Sequence, residues 1–373
     1  MKIGVPREIK NHEYRVGLTP GSVREMCRHG HSVMVQTNAG KGIGANDQDY
    51  INAGATIAET AAQIFSEADM IIKVKEPQAV ERAMLREDQI LFTYLHLAPD
   101  PEQTKDLVDS GAVCIAYETV TSPKGGLPLL APMSKVAGRL AVQAGAHCLE
   151  EPNGGLGKLL GGVPGVEPAK VVIIGAGVVG THAAHIAVGM GADVWVLDRN
   201  PDTLEHHWQQ FGDTTKTLYS TSNALEKHVL SADLVIGGVL IPGAEAPKLV
   251  TAAMVKKMQP GSVLVDVAID QGGCFETSHP TTHADPTFLV DEVVHYCVAN
   301  MPGAVPKTST YALNNVTLPY ALAIADKGYQ QALLDDEHLR NGLNVMHGHV
   351  TYQEVADELG YPYIPAQDLL QAD

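Results

Sequence analysis

The sequence predicts an α/β protein built from two doubly wound domains with parallel sheets and a cleft between them. Three observations predict it. Short strand-like runs alternate with amphipathic stretches along the first third of the chain, the pattern of βα units. A stretch broken by glycine and proline, "EPNGGLGKLLGGVPGVEP", then ends that texture, and the alternation restarts at "KVVIIG". Finally, "VVIIGAGVVG" sets Gly175, Gly177 and Gly180 in G-x-G-x-x-G spacing between a strand and a helix, the signature of a Rossmann-like unit.

The elements follow in order. "KIGVP", "HSVMVQ", "MIIKVK", "ILFTYL" and "AVCIAYE" read as strands of the first sheet, with helices near 20–29, 77–86 and 101–110. Met133, Val136, Ala137, Leu140, Ala141 and Ala144 recur at helical spacing, which predicts a connecting helix near 133–150. "KVVIIG", "DVWVLD", "ADLVIGGV" and "SVLVDVA" form the second sheet, with helices near 178–190, 222–230 and 251–258. From Lys307 the texture is helical; Thr351 with Glu354 reads as a capping box, and that helix stops before Gly360. Helices without a sheet of their own are expected to pack on the first domain. Residues 1–130 and 307–373 therefore form one discontinuous domain and residues 131–306 the other.

Composition narrows the function. Among 373 residues, 26 Lys and Arg stand against 43 Asp and Glu, a net charge of −17 that repels phosphate backbones and anionic lipid. Neither nucleic acid nor a membrane is an expected partner. The N-terminus lacks a signal peptide's apolar core and no apolar run is long enough to span a bilayer, so a soluble cytoplasmic protein is expected. Five scattered cysteines form no C-x-x-C pair and read as buried free thiols. The pairs His182/His185 and His347/His349 lack a third ligand, so no metal site is expected.

In the glycine loop, Gly175 permits a tight turn, Gly177 lets backbone approach a pyrophosphate, and Gly180 brings helix close to strand. Asp198, closing the next strand, suits both hydroxyls of an adenosine ribose and favours NAD; Arg199 beside it would instead welcome a 2′-phosphate. In open parallel sheets ligands bind beyond the carboxyl ends of strands. His96 ends "LFTYLH", Lys75 ends "MIIKVK", and Arg15 lies in the loop after the first strand. Three cations over one sheet edge of an acidic protein suit a small carboxylate. In the second domain Asp270 follows one strand, and Asn300 and Met301 end another; the Asp is equally a turn cap and the Asn equally a turn starter. Ser134 is either the N-cap of the connecting helix or a donor to a cofactor phosphate.

These residues resemble a known family. "MKIGVPREIKNHEYRVGLTP", "KVKEPQ", "YLHLAPD", "PMSKVAGRLAVQAGAHCLE", "GAGVVG", "VDVAIDQGGCFETSHPTTH" and "VANMPGAVPKTSTYALNN" are similar to alanine dehydrogenases, in the family's order and over nearly the whole chain. The resemblance implies a cytoplasmic NAD-dependent homohexamer interconverting L-alanine and water with pyruvate and ammonium. It further implies Arg15 as carboxylate anchor, Lys75 on the substrate carbonyl, His96 as acid/base and Asp270 as its partner, with Asn300 and Met301 beside the substrate. Implied cofactor contacts are Ser134, Gly175, Gly177, Val178, Val179, Gly180, Asp198, Thr203, Ser220, Val239, Leu240, Val267, Ala268, Ile269, Asp270, His279, Val298, Ala299, Asn300 and Met301. Thr203 and His279 stand where the family often has basic residues, which weakens the adenosine side. A transhydrogenase's nucleotide-binding portion shares parts of these motifs, and a non-catalytic NAD-binding protein is the alternative from another class.

Overall fold

The computed structural model describes residues 1–239 and 246–372, so the expected cofactor contact at Leu240 lies outside the described residues. The chain divides into two compact units, Met1–Met133 with Gly303–Asp373, and Ser134–Pro302. In the first unit the strands are β1 (Lys2–Val5), β2 (Ser32–Gln36), β3 (Thr56–Ala58), β4 (Met70–Ile72), β5 (Ile90–Thr93) and β6 (Val113–Ala116). The second unit holds β7 (Lys170–Ile174), β8 (Asp193–Asp198), β9 (Thr215–Tyr219), β10 (Leu234–Gly237), β11 (Val263–Asp266), β12 (Thr287–Val290) and β13 (Val293–Tyr296). The chain then returns to the first unit with β14 (Leu343–Met346) and β15 (His349–Val350).

Central strands such as β4, β5, β10 and β11 are short apolar runs buried on both faces, as parallel sheets covered by helices require. The first sheet runs β15-β14-β6-β5-β4-β1-β2-β3 and the second β12-β13-β11-β10-β7-β8-β9. Their parallel cores, β3-β2-β1-β4-β5-β6 and β9-β8-β7-β10-β11-β13, follow one doubly wound order, which reverses between β1 and β4 and between β7 and β10. Loops diverge at such a reversal. Apolar side chains from strands and covering helices form one core cluster around Ile71, Leu91 and Cys114 and another around Val172, Val235 and Leu264.

The structure corrects several expectations. Both sheets carry antiparallel edges: β14 pairs with β6, and β12 with β13. The segment after Lys307 is therefore not purely helical, since after the helix Pro306–Lys327 it contributes a hairpin to the first sheet. Thr351 caps no helix; its hydroxyl donates to Leu343 O at 2.8 Å inside that hairpin region, and the helix Gln353–Leu359 starts at Tyr352 without a side-chain cap. The hydrogen bond to buried backbone competes successfully with a cap exposed to water. The connecting helix spans Ala131–Cys148, which makes Ser134 its fourth residue and removes the N-cap reading. The helices near 77–86 and 251–258 shrink to Ala79–Arg82 and Ala252–Val255.

Candidate active site

The strands end sooner than the sequence suggests. β4 stops at Ile72 and β5 at Thr93, so Lys75 and His96 stand in the loops beyond rather than at strand ends. Likewise β13 stops at Tyr296, and Asn300 and Met301 follow at the start of a short helical turn. Because β1, β4 and β5 are adjacent in the sheet, the loops bearing Arg15, Lys75 and His96 are neighbours at its carboxyl edge around the reversal point.

Each loop is pinned by an acid that the sequence reading did not single out. Arg15, 2% exposed, donates from Nε to Glu13 Oε1 at 2.7 Å and from Nη2 to Oε2 at 2.6 Å, and Nη1 reaches Met133 Sδ at 3.0 Å. Burial opposes the guanidinium charge, but the hydrogen bonds and charge of Glu13 outweigh it and hold the pKa above its ordinary value. Lys73, fully buried, donates to Glu8 at 3.0 Å and to Glu81 at 2.8 Å, and Glu8 accepts the Val74 and Lys75 amides at 2.7 and 3.4 Å. That ion triad fixes the backbone from which the Lys75 side chain projects. Burial pushes the Lys75 ammonium below the ordinary lysine pKa; Glu76 opposes the shift, while Arg15 and Lys10 add to it. His96 has φ +52 and its ring lies parallel to Tyr94, with centroids 5.9 Å apart. Acids in each post-strand loop, "PREIK", "NHEYR" and "YET", were the available signal.

In the second unit the expected cofactor residues gather beyond the carboxyl ends of parallel strands. Gly175 follows β7 with φ +100, and a Cβ there would meet Gly238 O at 2.8 Å. A Cβ on Gly180 would sit 1.8 Å from Gly175 O, so only glycine lets the helix Val178–Gly189 pack this close. At Gly177 an added Cβ meets nothing within 4 Å, and this N-cap residue has no side-chain cap. First-turn amides of that helix, at Val178, Val179 and Gly180, lack intrahelical acceptors, so the loop fits a dinucleotide pyrophosphate. A Cβ on Gly138 of the connecting helix would lie 2.2 Å from Val179 O, and Ser134, one turn earlier on that face, therefore lies towards the same helix start.

Asp198 ends β8 and accepts the Ala176 amide at 2.7 Å and the Asn200 amide at 2.8 Å, so it shapes the glycine loop as well as closing its strand. Ser220 follows β9, and its amide donates to Asp198 O at 2.9 Å. Val239 follows β10, Val267 to Asp270 follow β11, and Val298, Ala299, Asn300 and Met301 follow β13. Two positions stand apart. Thr203 sits in the first turn of the helix Pro201–Phe211, and His279 stacks on Phe288 with centroids 3.7 Å apart. A further acid, buried Asp266, accepts from the Ala268, Cys274 and Phe275 amides and the Ser278 hydroxyl, at 3.1, 2.9, 3.3 and 2.7 Å, and so braces the loop that presents Asp270. Burial raises its pKa and those hydrogen bonds oppose the rise.

Residues 4–137 match the family described as alanine dehydrogenase/PNT, N-terminal domain, and residues 141–353 match alanine dehydrogenase/PNT, C-terminal domain. The chain belongs to the alanine dehydrogenase/PNT family. Within it, an alanine dehydrogenase of Halomonas elongata is 60% identical over 99% of this chain and 100% of its own length. One from Bacillus subtilis is 56% identical over 100% of this chain and 98% of its own. A solved L-alanine dehydrogenase superposes with a TM-score of 0.94 at 53% identity, covering 96% of this chain and 99% of that one. A transhydrogenase from Sinorhizobium meliloti shares the family's architecture at a TM-score of 0.80 and 25% identity, covering 95% of this chain and 99% of that one. Among the described residues no helix is long and apolar enough to cross a membrane, and no cluster of three or more His, Cys, Asp or Glu could hold a metal.

Proposed function

We propose that this chain is an NAD-dependent dehydrogenase that converts L-alanine, NAD⁺ and water reversibly to pyruvate, ammonium, NADH and a proton. The observation that carries the reading is the convergence of Arg15, Lys75 and His96 on neighbouring loops of one sheet edge, in a chain whose full-length relatives are named alanine dehydrogenases. Residues 1–130 and 307–373 bind the substrate and residues 131–306 bind NAD. The nicotinamide, when bound, accepts hydride from the alanine Cα.

This chain's own residues do the rest. Arg15, locked by Glu13, holds the substrate carboxylate and fixes the direction of Cα. Loss of hydride leaves an iminium, which water attacks while the His96 imidazole takes the proton as general base. Lys75 faces the oxygen that develops charge as the carbinolamine forms and collapses, and its pKa, lowered by burial, brings proton sharing closer to working pH. His96 returns the proton to departing ammonia, and Asp270 orders the water and favours the cationic iminium. Ser134, the amides of Val178 to Gly180, Asp198, Ser220, Val239, Leu240, the 267–270 loop and the 298–301 loop hold the dinucleotide, with Thr203 and His279 near its adenosine end. A carboxylate at Asp198 favours NAD over NADP. The protein acts as a cytoplasmic homohexamer and needs neither nucleic acid nor membrane.

Replacing His96 by Ala should abolish ammonium- and pyruvate-dependent NADH oxidation while NADH still binds. Turnover near wild type would remove His96 from the chemistry. The transhydrogenase-like reading and the non-catalytic one both predict that the unmodified chain binds NADH but oxidises none with pyruvate and ammonium.

A further inference from the structure

We propose that Glu118 is the positioning residue for His96, holding its backbone in a left-handed conformation and setting a carboxylate against one ring nitrogen. The inference rests on His96 being the acid/base. At φ +52, His96 adopts a left-handed conformation that a non-glycine residue rarely takes and that persists only where the surroundings over-determine it. They do so here. Glu118 accepts the Leu95 amide through both oxygens, at 3.1 and 3.2 Å, and the His96 amide at 2.6 Å. From the helix Pro101–Ser110, Gln103 Nε2 donates to Leu95 O at 2.7 Å and Thr104 Oγ1 to Leu97 O at 3.0 Å. Amides and carbonyls of the loop are thus held by two separate elements, the turn after β6 and the helix Pro101–Ser110.

Topology makes the meeting possible. Because β5 and β6 are adjacent, the turn Tyr117–Thr119 after β6 faces the loop after β5. Glu118 Oε1 lies 3.8 Å from His96 Nδ1, with 12% of its side chain exposed against 40% of the imidazole. Nδ1 is the nitrogen turned to the carboxylate, which leaves Nε2 for proton exchange with substrate water. A negative charge there stabilises the imidazolium that forms whenever His96 takes a proton, the logic of an oriented base. Other groups facing this pair are Tyr94, stacked on the ring and donating to Leu129 O at 2.6 Å, and Arg15, whose charge acts on Tyr94. Tyr352 lies within the field of Glu118 and of Glu354; burial first, then both acids, push its pKa up to about 12, so it stays neutral across the working range.

Glu118→Gln keeps an oxygen for the amides and loses the charge; Glu118→Ala loses both. The full-length Gln variant should fold, bind NADH as wild type, keep its pyruvate KM within about twofold and lose about tenfold in kcat. The Ala variant should lose a further ~10-fold or more in kcat as the loop relaxes. His96→Ala serves as control: residual turnover near wild type overturns the reading on which the inference rests. An inactive His96→Ala together with a Gln variant of unaltered kcat overturns only the role of Glu118.

Discussion

Glu13 grips Arg15 through two near-parallel hydrogen bonds, Nε to Oε1 at 2.7 Å and Nη2 to Oε2 at 2.6 Å, in a site where both side chains are at most 2% exposed. The pair lies two residues apart in a loop, and the carboxylate holds two of the guanidinium nitrogens at once. Removing Glu13 also strands a buried cation. Glu13→Ala should lose about 3–5 kcal/mol of stability in urea unfolding. Its pyruvate KM should rise about tenfold or more through loss of orientation. A variant with wild-type KM and unfolding midpoint would remove Glu13 from the site.

Lys75 offers the opposite sign. Burial lowers its pKa below the unfolded value of 10.5, so the folded state bears the cost of a desolvated ammonium. That cost is full below the folded pKa and vanishes as pH rises past 10.5. Lys75→Met should therefore abolish turnover, by ~10²-fold or more, without lowering the unfolding midpoint at pH 7. Any gain in midpoint should fade towards strongly alkaline pH. A clear drop in stability at pH 7 would show that Lys75 serves the fold rather than the chemistry.

Two glycines of the turn after β7 separate folding from the proposed NAD binding. Gly180→Ala puts a methyl 1.8 Å from Gly175 O and should destabilise the second unit by about 3 kcal/mol or more, seen in thermal unfolding. Gly177→Ala meets nothing within 4 Å at φ −69, so it should fold as wild type yet bind NADH about tenfold more weakly, measured by fluorescence titration. Equal NADH affinity in Gly177→Ala would mean that the pyrophosphate does not pass over this residue.

Most of the parallel framework was legible in the sequence because buried strands are short apolar runs and helices repeat at their own period. "MIIKVK" and "LFTYLH" located β4 and β5, and the glycine spacing located the turn after β7. Strand ends were less legible. Lys75 and His96 continue an apolar texture, and only the twist and divergence of neighbouring strands decide where pairing stops. β3 and β9, whose sequences "TIA" and "TKTLY" are half exposed, carry too weak a signal to be read alone.

By itself the sequence determined the two doubly wound sheets, the glycine turn after β7 and the placing of Arg15, Lys75 and His96 after strands of one sheet, since each depends on local residue type and spacing. Tertiary structure alone decided which acid serves which base. Glu8 meets Lys73 and Glu118 meets His96 across 65 and 22 positions of sequence, because strand order places their loops side by side. It likewise turned the C-terminal segment into β14 and β15, where an open sheet edge beside β6 had backbone groups left to pair.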